Sequence, residues 1–326
     1  MDTTTSTSTM TAVGVDTYGG PENLRVHEVP APHAGPGEVR IRVRAAAVSP
    51  TDTNVREGAY GESELPFPVV PGMDAAGVID EVGDPDPTRG LDTSGWSVGD
   101  EVMAIALPRK GHGGAYVQYL VADADSLARI PAGSSLEEAS SLPMNGLTAV
   151  QALDELAIPA GGTFAVTGAA GTLGNYAVQL AKQRGLTVIA DAAEKDRALV
   201  ASLGADHIVE RGDDVAARIR AIVPEGVDGL LDAAVMNEKA LPAVRSGGGF
   251  ATVRNWGGVE GSDVTVHKIW VFAEYHSGAK LDALRQAVEA GALTLRVADT
   301  LPAEQAAEAH RRLEAGGTRG RLVLTF

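Results

Sequence analysis

Alternation of apolar and polar positions marks the first third of the chain as rich in β-strands. In EVRIRVRAAAV (38–48), Val39, Ile41 and Val43 share one face and arginines occupy the other, which is the period of a half-buried strand. Further short apolar runs, AAGVIDEVG, WSVGDEVMAIA and AYVQYLVAD, are separated by glycine, proline and aspartate, which favour turns. This pattern predicts a β-rich region.

From about residue 133 the pattern changes to apolar strands that alternate with helical segments. SLEEASSLPMNGLTAVQALDEL is predicted as a helix capped by Ser134 or Ser135, and the strands FAVTG and TVIADA each precede a helix. ALPAVRSGG is predicted as a helix that ends at a glycine cap. Such alternation predicts an α/β fold with a doubly wound parallel sheet. The tail is predicted to form a helix over 302–315 and a terminal strand that returns to the first domain.

The stretch TFAVTGAAGTLGNYAVQLAKQRG (163–185) places three glycines at three-residue spacing between a strand and a helix. In a dinucleotide-binding turn, Gly168 permits the sharp turn, Gly171 lets the diphosphate touch the backbone, and Gly174 lets the helix approach the strand. The spacing is GxxGxxG rather than GxGxxG, so the motif alone also fits an ordinary turn, and the strand–helix context favours a cofactor. The predicted cofactor-binding residues of the loop are Gly168, Ala170, Gly171, Thr172, Leu173 and Gly174.

Asp191 ends the next predicted strand, about 20 residues beyond the loop, where an acid typically binds the adenosine ribose. The alternative is a solvated carboxylate at a strand end. A carboxylate repels a 2′-phosphate, whereas Lys195, Arg197 and Arg211 are able to pair with one, unless they are only surface charges. These residues alone leave NADH and NADPH open.

Charge and composition restrict the partners. The net charge is −16, from 27 Lys and Arg against 43 Asp and Glu, which argues against a nucleic-acid-binding face and against docking on anionic membranes. No apolar run is long enough for a transmembrane helix, and MDTTTSTSTM lacks the features of a secretory signal and is expected to be a disordered tail. A cytoplasmic location is therefore expected. The absence of cysteine excludes disulfides and zinc sites built on thiolates.

Several stretches together resemble the medium-chain dehydrogenase/reductases, most closely the zinc-free quinone oxidoreductases (zeta-crystallin-like) and their enoyl-reductase relatives. AAAVSPTDTNVREGAYG (45–61) is similar to the early family segment, and PFPVVPGMDAAGVIDEVG (66–83) to its PGxDxAGxVxxVG motif. GAAGTLG resembles the family's cofactor loop, and AAEAHRRLEAGGTRGRLVL its C-terminal segment.

The resemblance implies a GroES-like β domain over 11–132, completed by 294–326, and a Rossmann domain over 133–293. It places the active site in the cleft between them. It also implies a homodimer, in which DVTVHKIWVFAEY (263–275) extends the sheet across a two-fold axis.

The resemblance also bears on metal and substrate. Where zinc-dependent relatives have a cysteine and a His–Glu pair, this chain has Ser49, Met73 and Asp74, which are poor zinc ligands. A metal-free enzyme must reduce an already activated acceptor, and a quinone or an α,β-unsaturated carbonyl (enone) fits. The family favours NADPH as the cofactor, with NADH possible.

Further site residues follow from the resemblance, each with a structural alternative. Tyr60 matches the proton donor of enoyl reductases, or packs at the edge of the cleft, and Arg56 orients substrate or caps local structure. Trp256 contacts substrate or forms a wall. The predicted substrate-binding residues are Ser49, Arg56, Asn145 and Trp256, and the further cofactor-binding residues are Thr148, Lys195, Arg211, Asn255 and Arg319. His112 and His310 are expected to be solvated.

The sequence bears on two other functions. A short-chain dehydrogenase needs Tyr-x-x-x-Lys, and none of the six tyrosines has lysine four residues on. A non-enzymatic, nucleotide-binding regulatory or structural protein that retains the fold stays open, because fold does not determine function.

Overall fold

A computed structural model describes residues 8–326, which divide into two compact units. Of the described residues, one unit contains 8–144 with Tyr275–Gln286 and Leu295–Phe326, and the other contains Asn145–Glu274 and Ala287–Thr294. The predicted domain boundaries stay a prediction. Of the predicted N-terminal tail, residues 1–7 lie outside the described residues, and the first strand already begins at Thr9.

The strands, in chain order, are β1 (Thr9–Val15), β2 (Leu24–Pro30), β3 (Glu38–Ala47), β4 (Asp74–Val82), β5 (Glu101–Ile105), β6 (Tyr119–Asp123), β7 (Leu127–Arg129), β8 (Thr163–Thr167), β9 (Thr187–Ala192), β10 (His207–Glu210), β11 (Val227–Asp232), β12 (Val244–Thr252), β13 (Thr265–Lys268), β14 (Val297–Pro302) and β15 (Arg321–Thr325). The helices are α1 (Pro50–Glu57), α2 (Leu136–Ser140), α3 (Pro143–Leu156), α4 (Thr172–Gln183), α5 (Arg197–Ser202), α6 (Val215–Ile222), α7 (Gly278–Glu289) and α8 (Ala306–Ala315).

The first unit is built on a sheet in the order β14-β15-β3-β4-β5-β7, with β6 also pairing with β3. Strand β3 confirms the alternation in its sequence, because Val39, Ile41 and Val43 are buried while Arg42 and Arg44 are exposed. Strand β15 pairs antiparallel with β3, so the terminal strand returns to the first unit.

The second unit is built on a parallel sheet in the order β10-β9-β8-β11-β12-β13. Numbered from β8, this is the 3-2-1-4-5-6 order of the Rossmann fold. Its central strands are continuous buried apolar runs, such as Phe164–Val166 and Val188–Ala190, as expected where helices cover both faces. The α/β fold predicted from the alternation is confirmed.

Two predicted helices differ in the structure, and proline explains both. The helix predicted from Ser135 is split into α2 and α3 at Pro143, because proline cannot continue a helix through its ring and missing N–H. The helix predicted for ALPAVRSGG (240–248) is wrong: a 3₁₀ turn at Leu241–Ala243, around Pro242, leads straight into β12. The glycines that resemble a helix cap in the sequence lie inside β12.

Candidate functional site

The glycine loop lies between β8 and α4, and its backbone geometry explains two of its glycines. Gly168 has a φ of 70°, in the left-handed region that favours glycine. A Cβ on Gly174 would lie 2.4 Å from the Gly168 carbonyl oxygen and 2.6 Å from the Cα of Ala169, so α4 rests directly on the loop. A Cβ on Gly171 would meet only the Gly168 oxygen, at 3.2 Å.

The N-terminus of α4 presents backbone donors at the loop. Gly171 is the N-cap residue and offers no side chain to cap the first turn. The first N–H groups of any helix have no partner within it, and the positive end of the helix dipole lies there. The Gly171 N–H donates to the Gly168 carbonyl at 2.9 Å, so within the predicted diphosphate site the N–H groups of Thr172 and Leu173 are the donors that face an anion at the helix N-terminus. Binding of a diphosphate by Gly171, Thr172 and Leu173 stays a prediction.

Asp191 contacts the same loop from the neighbouring strand β9. It is only 4% exposed, and its Oδ1 accepts a hydrogen bond from the backbone N–H of Ala169 at 3.1 Å. Burial raises the pKa of Asp191, and the N–H groups of Ala169 and Gly168 and the charge of Arg211 partly offset that rise. The solvated alternative for Asp191 is therefore wrong. The side chains of Lys195 and Arg211 are exposed.

A second acid at this edge of the sheet, Asp232, was not found from the sequence. Thr167 Oγ1 donates to Asp232 Oδ1 at 2.6 Å and thereby joins the ends of β8 and β11. Asp232 Oδ2 accepts from the N–H of Asn237 at 2.7 Å. In the connection that follows β11, Val235 has a φ of 56°, which is unfavourable for a β-branched residue, while Asn237 has a φ of 52°, which asparagine tolerates.

In the first unit, Ser49 caps helix α1 and is completely buried. Its hydroxyl donates to Asp52 Oδ2 at 2.9 Å and accepts from the Asp52 N–H at 3.3 Å, while its own N–H donates to the same carboxylate oxygen at 2.7 Å. Asp52 Oδ1 accepts from the N–H of Gly72 at 3.1 Å. The structure thus gives Ser49 a helix-capping role, and its predicted substrate contact stays a prediction.

A chain of buried side chains continues from Asp52, named here the buried polar chain: Asp52, Tyr116, His310 and Arg56. The Tyr116 hydroxyl donates to Asp52 Oδ2 at 3.2 Å and lies 3.1 Å from His310 Nε2. Arg56 Nη1 lies 3.2 Å from His310 Nδ1. Because a guanidinium only donates, His310 Nδ1 accepts and Nε2 carries the proton toward Tyr116, so every bond of the chain donates toward Asp52.

Burial sets the charge states along the buried polar chain. It lowers the pKa of His310 to about 3, helped by the Arg56 charge, so the imidazole stays neutral. It raises the pKa of Asp52 to about 6, against the opposing effects of Arg321 and of Ser49. The expectation that His310 is solvated is wrong, because it lies on the buried face of α8 beside Ala306 and Ala309. His112 lies at the surface, as expected, 3.1 Å from Glu38.

Arg56 itself is held by protein groups on every guanidinium nitrogen. Nε donates to the Gly19 carbonyl at 2.9 Å, Nη1 to Glu314 at 2.7 Å, and Nη2 pairs with Glu57. The side chain is 1% exposed. The structure therefore favours the structural alternative for Arg56, and its predicted substrate role stays a prediction.

The positions that resemble zinc ligands do not suit zinc. The hydroxyl of Ser49 is bonded to Asp52, Met73 offers only a thioether, and Asp74 forms a buried ion pair with Arg321 at 2.6 Å. Asp74 also accepts from the Met144 N–H at 2.6 Å, and Arg321 donates to the Val48 carbonyl at 3.0 Å. Across residues 8–326, no group of three or more His, Cys, Asp or Glu side chains is arranged to hold a metal ion.

The remaining predicted residues lie in both units. Asn145 and Thr148 are nearly buried in α3, and Asn255 is exposed beyond β12. Trp256 packs edge-on against Phe250 at 5.2 Å, as a wall residue does. Arg319 is half-buried before β15 in the first unit, where Tyr60 follows α1. The structure brings the glycine loop and Asp191 together, and it links Ser49 to Arg56 through the buried polar chain.

Comparison with known families gives two matches along the chain. The family described as alcohol dehydrogenase GroES-like domain matches residues 35–132, and the family described as zinc-binding dehydrogenase matches residues 203–324. In the part of the chain that the structure describes, no helix has the length and apolarity needed to cross a bilayer.

Individual relatives agree with these families. The trans-enoyl reductase tazE of Aspergillus terreus is 34% identical, over 64% of this chain and 71% of its own. Human quinone oxidoreductase is 28% identical over 97% of both chains. The structure of mycobacterial Rv1454c complexed with NADPH superimposes with a TM-score of 0.83 at 28% identity, over 97% of this chain and 100% of its own. The chain is therefore a nicotinamide-dependent oxidoreductase of the medium-chain dehydrogenase/reductase superfamily, and it belongs to the group of quinone oxidoreductases and enoyl reductases.

Proposed function

We propose that this oxidoreductase uses NADPH to reduce a quinone or an enone without a metal ion. The observation that carries the proposal is the glycine loop, in which α4 rests on the loop backbone and begins right after Gly171, so its first-turn N–H groups have no partner within the helix. The names of the relatives, quinone oxidoreductase and trans-enoyl reductase, support the two acceptor classes. The donor set at Ser49, Met73 and Asp74 argues against zinc.

The preference for NADPH over NADH rests on the charges around Asp191. The Asp191 carboxylate is bonded to the Ala169 N–H, while the side chains of Lys195 and Arg211 are exposed. A 2′-phosphate forms strong, charge-assisted bonds with such cations. Calorimetry with both cofactors tests this preference, and a dissociation constant for NADH tenfold lower than that for NADPH would overturn it.

The bound cofactor supplies the hydride. The residues of this chain bind the cofactor, orient the acceptor and supply a proton to the reduced product. The first-turn N–H groups of α4 hold the diphosphate, and Thr148, Asn255 and Arg319 are proposed to contact the cofactor. Negative charge develops on the acceptor oxygen as hydride arrives, so a hydrogen-bond donor there lowers the barrier. Tyr60 is the proposed donor for enones, whereas a reduced quinone is able to take its proton from water. Asn145 and Trp256 are proposed to line the acceptor site.

The decisive experiment follows NADPH oxidation with a panel of quinones and enones. Gly171→Asp places a carboxylate at the proposed diphosphate site. Its Cβ would lie 3.2 Å from the Gly168 oxygen, which must move by a few tenths of an ångström, and NADPH affinity is expected to fall by about 100-fold from like-charge repulsion. Gly95→Asp is the matched control, because a Cβ there meets nothing within 4 Å. Tight NADPH binding without turnover of any acceptor would favour the non-enzymatic alternative.

A homodimer is part of the proposal. Within the predicted segment 263–275, β13 is an edge strand of the parallel sheet and is followed by a 3₁₀ turn at Val271–Glu274. Trp270 is 49% exposed and stacks on Phe272 at 4.8 Å, so an apolar surface lies beside this edge. Light scattering that gives a monomer across micromolar concentrations would contradict the dimer.

A cytoplasmic location stays a prediction that cell fractionation tests.

A further inference from the structure

The chain turns sharply after α1 and brings Tyr60 back beside that helix. Gly58 ends α1 with a φ of 72°, and the N–H groups of Gly58 and Ala59 both donate to the Asn54 carbonyl oxygen. A side chain at position 58 would collide with the Tyr18 ring, whose nearest atoms would lie 2.8 Å from a Cβ. Tyr60 therefore follows Asn54 by six positions and still reaches its side chain.

The side chain of Asn54 is directed at the phenol of Tyr60. Asn54 Nδ2 donates to the Tyr60 oxygen at 2.9 Å. This bond occupies an acceptor position of the oxygen and leaves the phenolic hydrogen bound to Tyr60. A donor at this place stabilises the oxygen more strongly once it is negatively charged, because bonds to charged acceptors are stronger.

Arg109 approaches Tyr60 from another direction. Its guanidinium carbon lies 6.0 Å from the centroid of the Tyr60 ring, within the range of a cation–π contact. Arg109 Nη2 donates to the Glu62 carbonyl at 2.6 Å, and the Glu64 N–H donates to the Arg109 carbonyl at 3.2 Å. The first bond holds the guanidinium, and the second holds the Arg109 backbone, against the segment that follows Tyr60, and the guanidinium lies over the Tyr60 ring.

We propose that Asn54 and Arg109 are positioning residues that hold the Tyr60 phenol for proton donation to a reduced enone. The inference rests on the proposed function. After hydride has added to the β-carbon of the enone, the O–H bond of Tyr60 breaks and a C–H bond forms at the α-carbon of the enolate. The resulting phenolate keeps its bond from Asn54 and the nearby charge of Arg109, and water returns the proton.

Enone reduction in D₂O tests this inference, because it records which face of the α-carbon receives the proton. Asn54→Leu is expected to lower kcat for an α-substituted enone by about 100-fold, the scale of general acid catalysis, with KM nearly unchanged. Tyr60→Phe is expected to have a similar effect, and the double variant no larger one, because both remove one function. Deuterium is expected on a single face with the wild-type enzyme and on both faces with Asn54→Leu. Quinone reduction is expected to change less than threefold.

Further variants separate positioning from folding. In Asn54→Asp the side chain keeps its shape but only accepts hydrogen bonds. The carboxylate should therefore accept the phenolic hydrogen of Tyr60, and the variant enzyme should also lose enone activity. Arg109→Met is expected to lower kcat about tenfold without changing KM. Gln286→Leu is the matched control, because this exposed amide on α7 bonds only within its own helix, to Asp282 at 2.7 Å, and full activity is expected.

A measurement on the protein without cofactor supports or contradicts the contact itself. In the NMR spectrum, Tyr60→Phe is expected to shift the side-chain amide signal of Asn54, and an unmoved signal would overturn the inference. Full kcat and one-sided deuteration with folded Asn54→Asp would overturn the inference alone. If the wild-type enzyme reduces quinones but no enone in the panel, the inference would also be overturned, and the protein would be a quinone reductase. Absence of any wild-type turnover would overturn the proposed function as well.

Discussion

The glycine loop of the second unit and the buried polar chain of the first unit are assembled in opposite ways. The loop is made of backbone from consecutive residues, and its shape depends on having almost no side chains at Gly168 and Gly174. The buried polar chain is made of side chains from distant segments, since Arg56 and His310 are 254 positions apart. A site made of backbone is disrupted by adding atoms, whereas a site made of paired side chains is disrupted by removing them.

The largest expected effect comes from removing one member of the ion pair next to the buried polar chain. Arg321→Met leaves the Asp74 carboxylate buried without its cation and is expected to cost about 3–5 kcal/mol of unfolding free energy. Arg129→Met, which breaks an exposed pair with Asp100, should cost less than about 1 kcal/mol. Urea unfolding measures both. Equal losses in the two variants would show that burial does not distinguish these pairs.

Adding a single methyl group to the loop should have the next largest effect. Gly174→Ala places a carbon 2.4 Å from the Gly168 oxygen, so the loop or α4 must move, and overpacking of this kind costs about 1–3 kcal/mol. NADPH affinity is expected to fall at least about tenfold, as measured by calorimetry. Gly95→Ala, where a Cβ has open space, is the control. Unchanged affinity in Gly174→Ala would contradict a loop whose shape depends on this contact.

The pH dependence of stability sharpens the picture of the buried polar chain. Asp52 has a pKa raised to about 6, so its contribution to stability is lost as pH rises from about 4 to 6. His310 has a pKa lowered to about 3, so its contribution is lost as pH falls below about 6.5, and the two oppose each other. Asp52→Asn should leave the histidine unopposed. Between about pH 4 and 6, the unfolding free energy of Asp52→Asn should therefore rise with pH more steeply than that of the wild type, by about 1.4 kcal/mol per pH unit. Parallel curves would contradict this assignment.

The smallest expected effect concerns backbone strain beside the loop. Val235 has a φ of 56°, which is unfavourable for a β-branched residue, so Val235→Gly should raise the unfolding free energy by about 1 kcal/mol. Val98→Gly is the control, because Val98 is also exposed (66%, against 41% for Val235) but has no positive φ, so glycine should destabilise it. Thermal unfolding compares the two. A lower midpoint for Val235→Gly would show that contacts of the valine outweigh its strain.

The same difference in construction explains how much the sequence predicted. Strand β3, the parallel sheet and the glycine loop were predictable because periodicity and glycine spacing are local consequences of backbone geometry. The pairing of Asp74 with Arg321, 247 positions away, leaves no local pattern. The burial of His310 could not be predicted, because its charged neighbours on α8 are typical of a solvated face, although His310 lies on the buried face of that helix. The helix predicted at 240–248 is wrong because Pro242 interrupts a segment that otherwise has the alanine, leucine and terminal glycines typical of a helix.

The contact between Gly174 and the Gly168 carbonyl has a consequence for ligand capture. Because the loop already packs tightly against α4, it has few other conformations, and it loses little conformational entropy when a nucleotide binds. The hydrogen-bonded amides of Ala169 and Gly171 should then exchange slowly with solvent even in the empty protein, and association should be limited by encounter and not by rearrangement.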